Sequence, residues 1–215
     1  MKARLVLDGF FSLMVAATIP FAALPAEFAE LAIHPGNGVT TNVTAQIRGA
    51  VNVTLNPGAS GGGIVALNPN NSYYGLTTLG CGTLVVDNFS GVYANSTIGA
   101  GNTLVLGPGT LRYNGPAEGS TDRTISNTVT KTQVTVFEVN SNLWLNGSFF
   151  QPGGGFIKTG PGTLHIAGSG SNYIAYGENL AAINDTINKN RLNIQTNGDA
   201  PTLGTAGFMV ANGTV

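Results

Sequence analysis

The tripeptide Gly-Thr-Leu occurs three times, as Gly82-Thr83-Leu84, Gly109-Thr110-Leu111 and Gly162-Thr163-Leu164, with a near copy at Gly213-Thr214-Val215. The successive intervals are 27, 53 and 51 residues. The second and third are close to twice the first, so one unit of about 26 residues accounts for all of them. A fixed period of that size marks a solenoid, in which each coil buries its apolar side against its neighbours. The repeat therefore constrains architecture strongly and chemistry weakly.

Only 9% of the 215 residues are charged and the net charge is −1, against roughly 25% charged in ordinary globular domains. No basic stripe is present to displace counterions, which excludes nucleic acid as a partner. Disorder is excluded as well. Hydrophobic residues make up 42% of the chain and alternate with polar ones in short runs, the pattern of half-buried strands. The 31 glycines then mark turns between strands.

Residues 1–26 read as an export signal. Lys2 and Arg4 form a positive leader, and Phe10 to Leu24 is apolar and ends in small residues near Ala26. Residues 27–60 are expected to cap the solenoid, because Val43, Ile47, Val51, Val53 and Leu55 alternate with polar residues and a first coil needs its open end covered. Residues 61–215 are expected to be the β-helical repeats. The one helix-compatible stretch after the signal is Glu178 to Ile187.

Within the repeats, residues two apart on a strand share a face. The spacing predicts one inner stack of pairs, from Leu84 and Val86 through Leu111 and Tyr113, Val134 and Val136, Leu164 and Ile166, to Leu192 and Ile194. Gly80, Gly82, Gly107, Gly109, Gly160 and Gly162 precede strand starts two apart. They are expected to make the corners by adopting positive φ. Asn and Thr side chains are expected to pair from coil to coil.

Two segments carry a family resemblance. Leu67-Asn68-Pro69-Asn70-Asn71-Ser72-Tyr73-Tyr74-Gly75-Leu76-Thr77-Thr78-Leu79-Gly80-Cys81-Gly82-Thr83-Leu84-Val85-Val86 resembles the autotransporter-associated β-strand repeat, also called the passenger-associated transport repeat. Gly154-Gly155-Phe156-Ile157-Lys158-Thr159-Gly160-Pro161-Gly162-Thr163-Leu164-His165-Ile166-Ala167-Gly168 is similar to the family pattern G-G-L-x-K-x-G-x-G-T-L-x-L-x-G. The resemblance implies an all-β, right-handed parallel β-helix with coils of about 26 residues, exported across the inner membrane as a piece of a larger bacterial surface or secreted protein. It brings no catalytic residues.

The leading functional expectation is an exported passenger or stalk segment, structural or adhesive, at the cell surface or outer membrane. Its partners would be surface glycans or other cell-surface proteins, with the export machinery engaged through the signal peptide. The enzymatic alternative is a polysaccharide lyase or glycosidase, which needs clustered carboxylates on one face. Asp87, Glu118, Asp122, Glu138, Glu178, Asp185 and Asp199 fall at unrelated points of the period. Their closest grouping, Glu118, Asp122 and Arg123, reads as a solvated loop. A carbohydrate-binding module is the other alternative, with Tyr73, Tyr74, Tyr93 and Trp144 as contacts. Cys81 lies at a turn between glycines, and neither His34 nor His165, the latter on an outer face, has a partner at metal-binding spacing. No catalytic residue, metal or cofactor is expected.

Overall fold

The computed structural model describes residues 4–9, 29–58, 61–130, 133–151, 155–166, 173–174, 190–194, 202–203 and 213–214. These residues are all-β, without helix, and their parallel sheets stack as a β-solenoid with coils about 24 residues apart. The expected helix-compatible stretch at 178–187 and the apolar run Phe10 to Leu24 lie outside the described residues.

The chain enters on β1 (Arg4–Gly9), which pairs in parallel with β2 (Ala29–Pro35). Each later coil visits up to three sides. The first runs β2, β3 (Thr40–Val43), β4 (Arg48–Gly49), and the second β5 (Val51–Leu55), β6 (Ile64–Leu67), β7 (Ser72–Tyr73). The third has β8 (Thr77–Leu79) and β9 (Thr83–Val86), then an irregular stretch. The fourth is β10 (Thr103–Leu106), β11 (Thr110–Tyr113), β12 (Glu118–Thr121), and the fifth β13 (Thr124–Asn127), β14 (Val134–Val139), β15 (Asn142–Leu145). The sixth is β16 (Phe149–Gln151), β17 (Gly155–Thr159), β18 (Thr163–Ile166). Beyond it lie β19 (Tyr173–Ile174), β20 (Asn190–Ile194), β21 (Thr202–Leu203) and β22 (Gly213–Thr214). The first side is a nine-stranded sheet from β1 to β21, the second a six-stranded sheet from β3 to β17. The third side holds β4 and β7, then the five strands β12, β15, β18, β20 and β22. Residues 27–60, expected as a cap, thus contribute strands that continue the same ladders as the repeats.

The core consists of columns along the axis. On the first side Leu31, Val53, Thr77, Leu104, Ile125 and Phe149 are in register and buried. On the second side Val65, Leu84, Leu111, Phe137 and Lys158 form one column. Fully burying each such aliphatic side chain contributes about 1.5–3 kcal/mol.

Register corrects two expectations. Leu111 lies on Leu84 and Tyr113 on Val86 as expected, but the next coil supplies Phe137 and Val139. Val134 and Val136 point the other way and are only half-buried. Leu164 and Ile166 belong to a different face, where they lie on Leu143 and Leu145 and are followed by Leu192 and Ile194. The Gly-Thr-Leu at 109 stacks on the one at 82, and Thr214 stacks two coils beyond Thr163 through Arg191. The 53-residue interval between 109 and 162 crosses from one side to another. Corners of unequal length cause this: Ile64 pairs with Thr83 at an offset of 19, and Thr83 with Thr110 at 27.

The corner glycines also work differently from expectation. Of the six, only Gly82 and Gly160 have positive φ, 67° and 78°. At the others the space is missing. A Cβ on Gly107 would stand 2.3 Å from the Gly80 oxygen, and one on Gly80 would stand 2.3 Å from the Asn56 oxygen. Coils approach backbone to backbone there, which excludes any side chain.

Candidate functional surface

The third side is where the coils differ most, and it carries the exposed chemistry. Between Val86 and Thr103 no strand forms. Residues 87–102 make an irregular loop whose one β-bridge to the preceding coil is antiparallel, Asn71 to Ser96. Further hydrogen bonds run from Asn71 to the Thr97 oxygen and from Thr77 to the Ile98 oxygen. The sequence here is Gly-, Asn- and Ser-rich, so local side-chain bonds compete with a ladder. The Thr97 hydroxyl accepts from the amides of Asp87 and Asn88 at 3.2 and 3.0 Å, and the Ser96 hydroxyl donates to the Gly99 oxygen at 2.6 Å.

Arg123, in the turn between β12 and β13, replaces the missing ladder. It is 1% exposed. Its Nε donates to the Ser90 oxygen at 3.0 Å, and one terminal nitrogen donates to the Gly101 oxygen. The other terminal nitrogen donates to Gly91, Gly99 and Ala94 oxygens at 2.8, 2.8 and 3.1 Å. A guanidinium carries five N–H groups and cannot be deprotonated in a protein, so one side chain satisfies carbonyls that a strand would have paired. Burial pushes its pKa down, opposed by the Tyr73 and Asp122 charges. The grouping Glu118, Asp122 and Arg123 is therefore not a solvated loop: Glu118 begins strand β12 and Arg123 is interior. Asp122 stays exposed, and its carboxylate accepts the Val92 amide at 2.6 Å.

The loop and the coil before it share an aromatic corner. Tyr93 of the loop is 82% exposed and Tyr74 of the preceding coil 63%, with Leu76, also exposed, two residues beyond Tyr74. The Tyr93 amide donates to the Ala100 oxygen at 3.0 Å, and the Ala100 amide donates to the Tyr73 oxygen. Two backbone hydrogen bonds therefore separate Tyr93 from the Tyr73-Tyr74 step. Tyr73 itself, expected as a surface contact, is fully buried, with its hydroxyl 2.8 Å from the Thr77 hydroxyl. Tyr93 has φ of 66°, a region that bulky side chains rarely occupy.

Farther along the third side a polar ladder runs across β12, β15 and β18. Glu118 accepts from Asn142 Nδ2 at 2.8 Å and from Trp144 Nε1 at 3.0 Å, and these bonds hold its carboxyl below the usual range. Trp144 and His165 stack with centroids 3.6 Å apart and planes within 4°. One face of the indole is thus occupied, which leaves Trp144 a poor sugar platform. His165 lies on the outer side as expected, yet its Nδ1 is shut from solvent without a hydrogen-bond partner. Burial lowers its pKa, against the raising influence of Glu118.

Of the other residues singled out, Cys81 and Glu138 take structural roles, and Glu178, Asp185 and Asp199 lie outside the described residues. Cys81 is buried, its thiol pKa pushed up by burial, and its sulfur lies 3.4 Å from the Asn56 oxygen. Glu138 pairs with Arg112 of the preceding coil at 2.7 Å. Just past Val86, Tyr113 and Val139, which are in register, Asn140 donates to Asn114 at 2.7 Å, one of the expected Asn pairs between coils. Among the described residues no three His, Cys, Asp or Glu side chains group as metal ligands.

With this geometry in place, the chain is similar to the adhesin BmaC autotransporter of Brucella suis biovar 1 (strain 1330), at 35% identity over 134 residues. An autotransporter adhesin is its distant relative. The similarity covers 57% of this chain but only 4% of that protein's length. No family model matches the chain, and no solved structure does.

Proposed function

We propose that this chain is a segment of an exported bacterial passenger, an autotransporter-associated repeat stalk that holds adhesive surface away from the cell. The observation that carries the reading is the joint one of a parallel β-solenoid and 35% identity to an autotransporter adhesin. The physical logic is reach. Each coil adds about 4.8 Å of axial length, and a nearly uncharged ladder stacks with few ion pairs to desolvate. The segment is read as non-catalytic. Three of its described carboxylates already serve the fold: Glu118 binds Asn142 and Trp144, Glu138 binds Arg112, and Asp122 binds the Val92 amide. Its partners are surface glycans or other cell-surface proteins. Residues 1–26 would direct export. Their removal would take β1 away and leave β2 as the first strand of its sheet.

An antibody raised against the purified chain tests this in the bacterium that makes the parent protein. Labelling of intact cells is expected, together with a surface form whose amino terminus lies near residue 27. Labelling that appears only after lysis refutes the surface reading. A surface form that retains Met1 to Ala26 refutes the signal assignment alone.

A further inference from the structure

We propose that the corner bearing Tyr74 and Tyr93 binds a neutral glycan, each ring stacking on the C–H face of a sugar. This deepens the adhesive part of the surface reading and rests on it. Three independent observations lead to it.

The first is that the loop is built rather than left over. Irregular segments longer than about 12–15 residues are uncommon in compact folds and are usually functional or disordered. Residues 87–102 are pinned by the interior Arg123, by Asp122 on the Val92 amide and by Thr121 Oγ1 on the Ser90 oxygen at 3.0 Å. Gly99, with φ of 76°, packs against the Tyr73 ring where a Cβ would stand 2.8 Å from ring carbons.

The second is strain without packing gain. Tyr93 is held in the left-handed region although its side chain is 82% exposed. Such a conformation persists only where the surroundings impose it, and outliers of this kind gather at ligand sites. A rigid, exposed aromatic is a low-entropy anchor for a partner.

The third is charge. No Asp, Glu, Lys or Arg occurs from 88 to 102 or from 69 to 82. Of the charges that border these stretches, Asp122 is engaged by Val92, Arg123 by main-chain carbonyls and Arg48 by Gln46, and Asp87 precedes the first stretch. The two stretches themselves offer an ionic ligand no counter-charge. A protein interface core calls for contiguous apolar area, whereas here the exposed Tyr74, Leu76 and Tyr93 alternate along the chain with small or polar residues such as Gly75 and the exposed Asn95. A pyranose combines an apolar ring face with a hydroxyl rim, and matches exposed tyrosine faces on a polar, uncharged stretch.

The test uses the purified chain and calorimetric titration with neutral hexasaccharides of β-1,4-linked glucose, mannose, xylose and galactose, with polygalacturonate and heparin as ionic comparators. At least one neutral hexasaccharide is expected to bind, with affinity unchanged between about 0.05 and 0.5 M NaCl. Tyr93→Ala and Tyr74→Ala should each weaken it about tenfold without changing Tm, and Tyr93→Phe should bind like the parent. The proposal is overturned if no neutral hexasaccharide binds, if only the ionic polymers bind, or if the alanine variants bind undiminished. Sedimentation showing self-association that Tyr93→Ala abolishes would overturn it by assigning the corner to a second copy. Each of these failures leaves surface labelling of cells untouched, so the two readings fail separately.

Discussion

Lys158 stands in the column Leu84, Leu111, Phe137, opposite Phe137 and fully buried. Its Nζ donates to the Gly160 oxygen at 2.6 Å, and burial lowers its pKa from 10.5 to about 8. The folded chain therefore releases this proton before the unfolded chain does. Below pH 8 both states hold it and the group adds no pH dependence. From about pH 8 upward the unfolded state binds more protons, so stability rises with pH. Cys81, whose thiol pKa burial raises, acts oppositely once free cysteine ionises at about pH 8.5, and Tyr73 and Tyr113 do so once free tyrosine ionises at about pH 10. Urea unfolding from about pH 8 to 9.5 should thus show the parent's stability rising relative to that of Lys158→Met. The variant lacks the lysine's contribution, and its stability at pH 7 should exceed the parent's by about 2 kcal/mol. An equal slope in the two proteins would remove Lys158 as the source of that rise. The sequence showed this lysine inside a recognisable motif but not its orientation, because alternation in Gly-Phe-Ile-Lys-Thr marks either Ile157 or Lys158 as inward.

At the scale of elements, strands were legible and the segments between them were not. The alternation Thr-Leu-Val-Val or Thr-Leu-Arg-Tyr declares a strand and its inner face locally, and the structure buries Leu84, Val86, Leu111 and Tyr113 accordingly. Arg123 had no such local signal. Its acceptors lie 22 to 33 residues away in sequence, so nothing beside it distinguished an interior clamp from a solvated charge. Arg123→Met keeps the aliphatic stem and strips the guanidinium from these carbonyls, at a cost of about 3 kcal/mol. Native-state hydrogen exchange should show amides of 88–102 losing protection while those of β11 and β14 keep theirs. Uniform loss across all three segments would mean that the loop is part of the global folding unit.

For the whole molecule, the solenoid makes stability a chain of neighbour contacts. Leu111, 1% exposed, lies between Leu84 and Phe137. Leu111→Asp places an unpaired carboxylate in the column and should cost about 3–5 kcal/mol. Because coils touch only their neighbours, the loss should fall first on β9 and β14 and reach β5 and β18 less. Exchange measured strand by strand checks the gradient, and a denaturant midpoint equal to the parent's would place Leu111 outside the core. The side-chain pairs between coils, Arg112 with Glu138 and Asn142 with Glu118, tie adjacent coils and cannot spread damage farther.

Period, alternation and the near absence of charge determined an all-β solenoid with parallel coils, because each is a local property that any coil must satisfy alone. The face on which a given Gly-Thr-Leu falls was decided only by the tertiary structure. Gly162-Thr163-Leu164 lies on the third side and its two predecessors on the second, since corner lengths add along the chain and only closure of every coil fixes the sum. The same holds for the aromatic corner. Tyr73 and Tyr74 look alike in sequence, yet one is buried and the other exposed. Gly119 occupies an inner position where later coils place Leu143 and Leu164; a Cβ there would stand 1.9 Å from the Tyr113 hydroxyl. That exchange of volume between strands belongs to the packed core, where two side chains compete for one space.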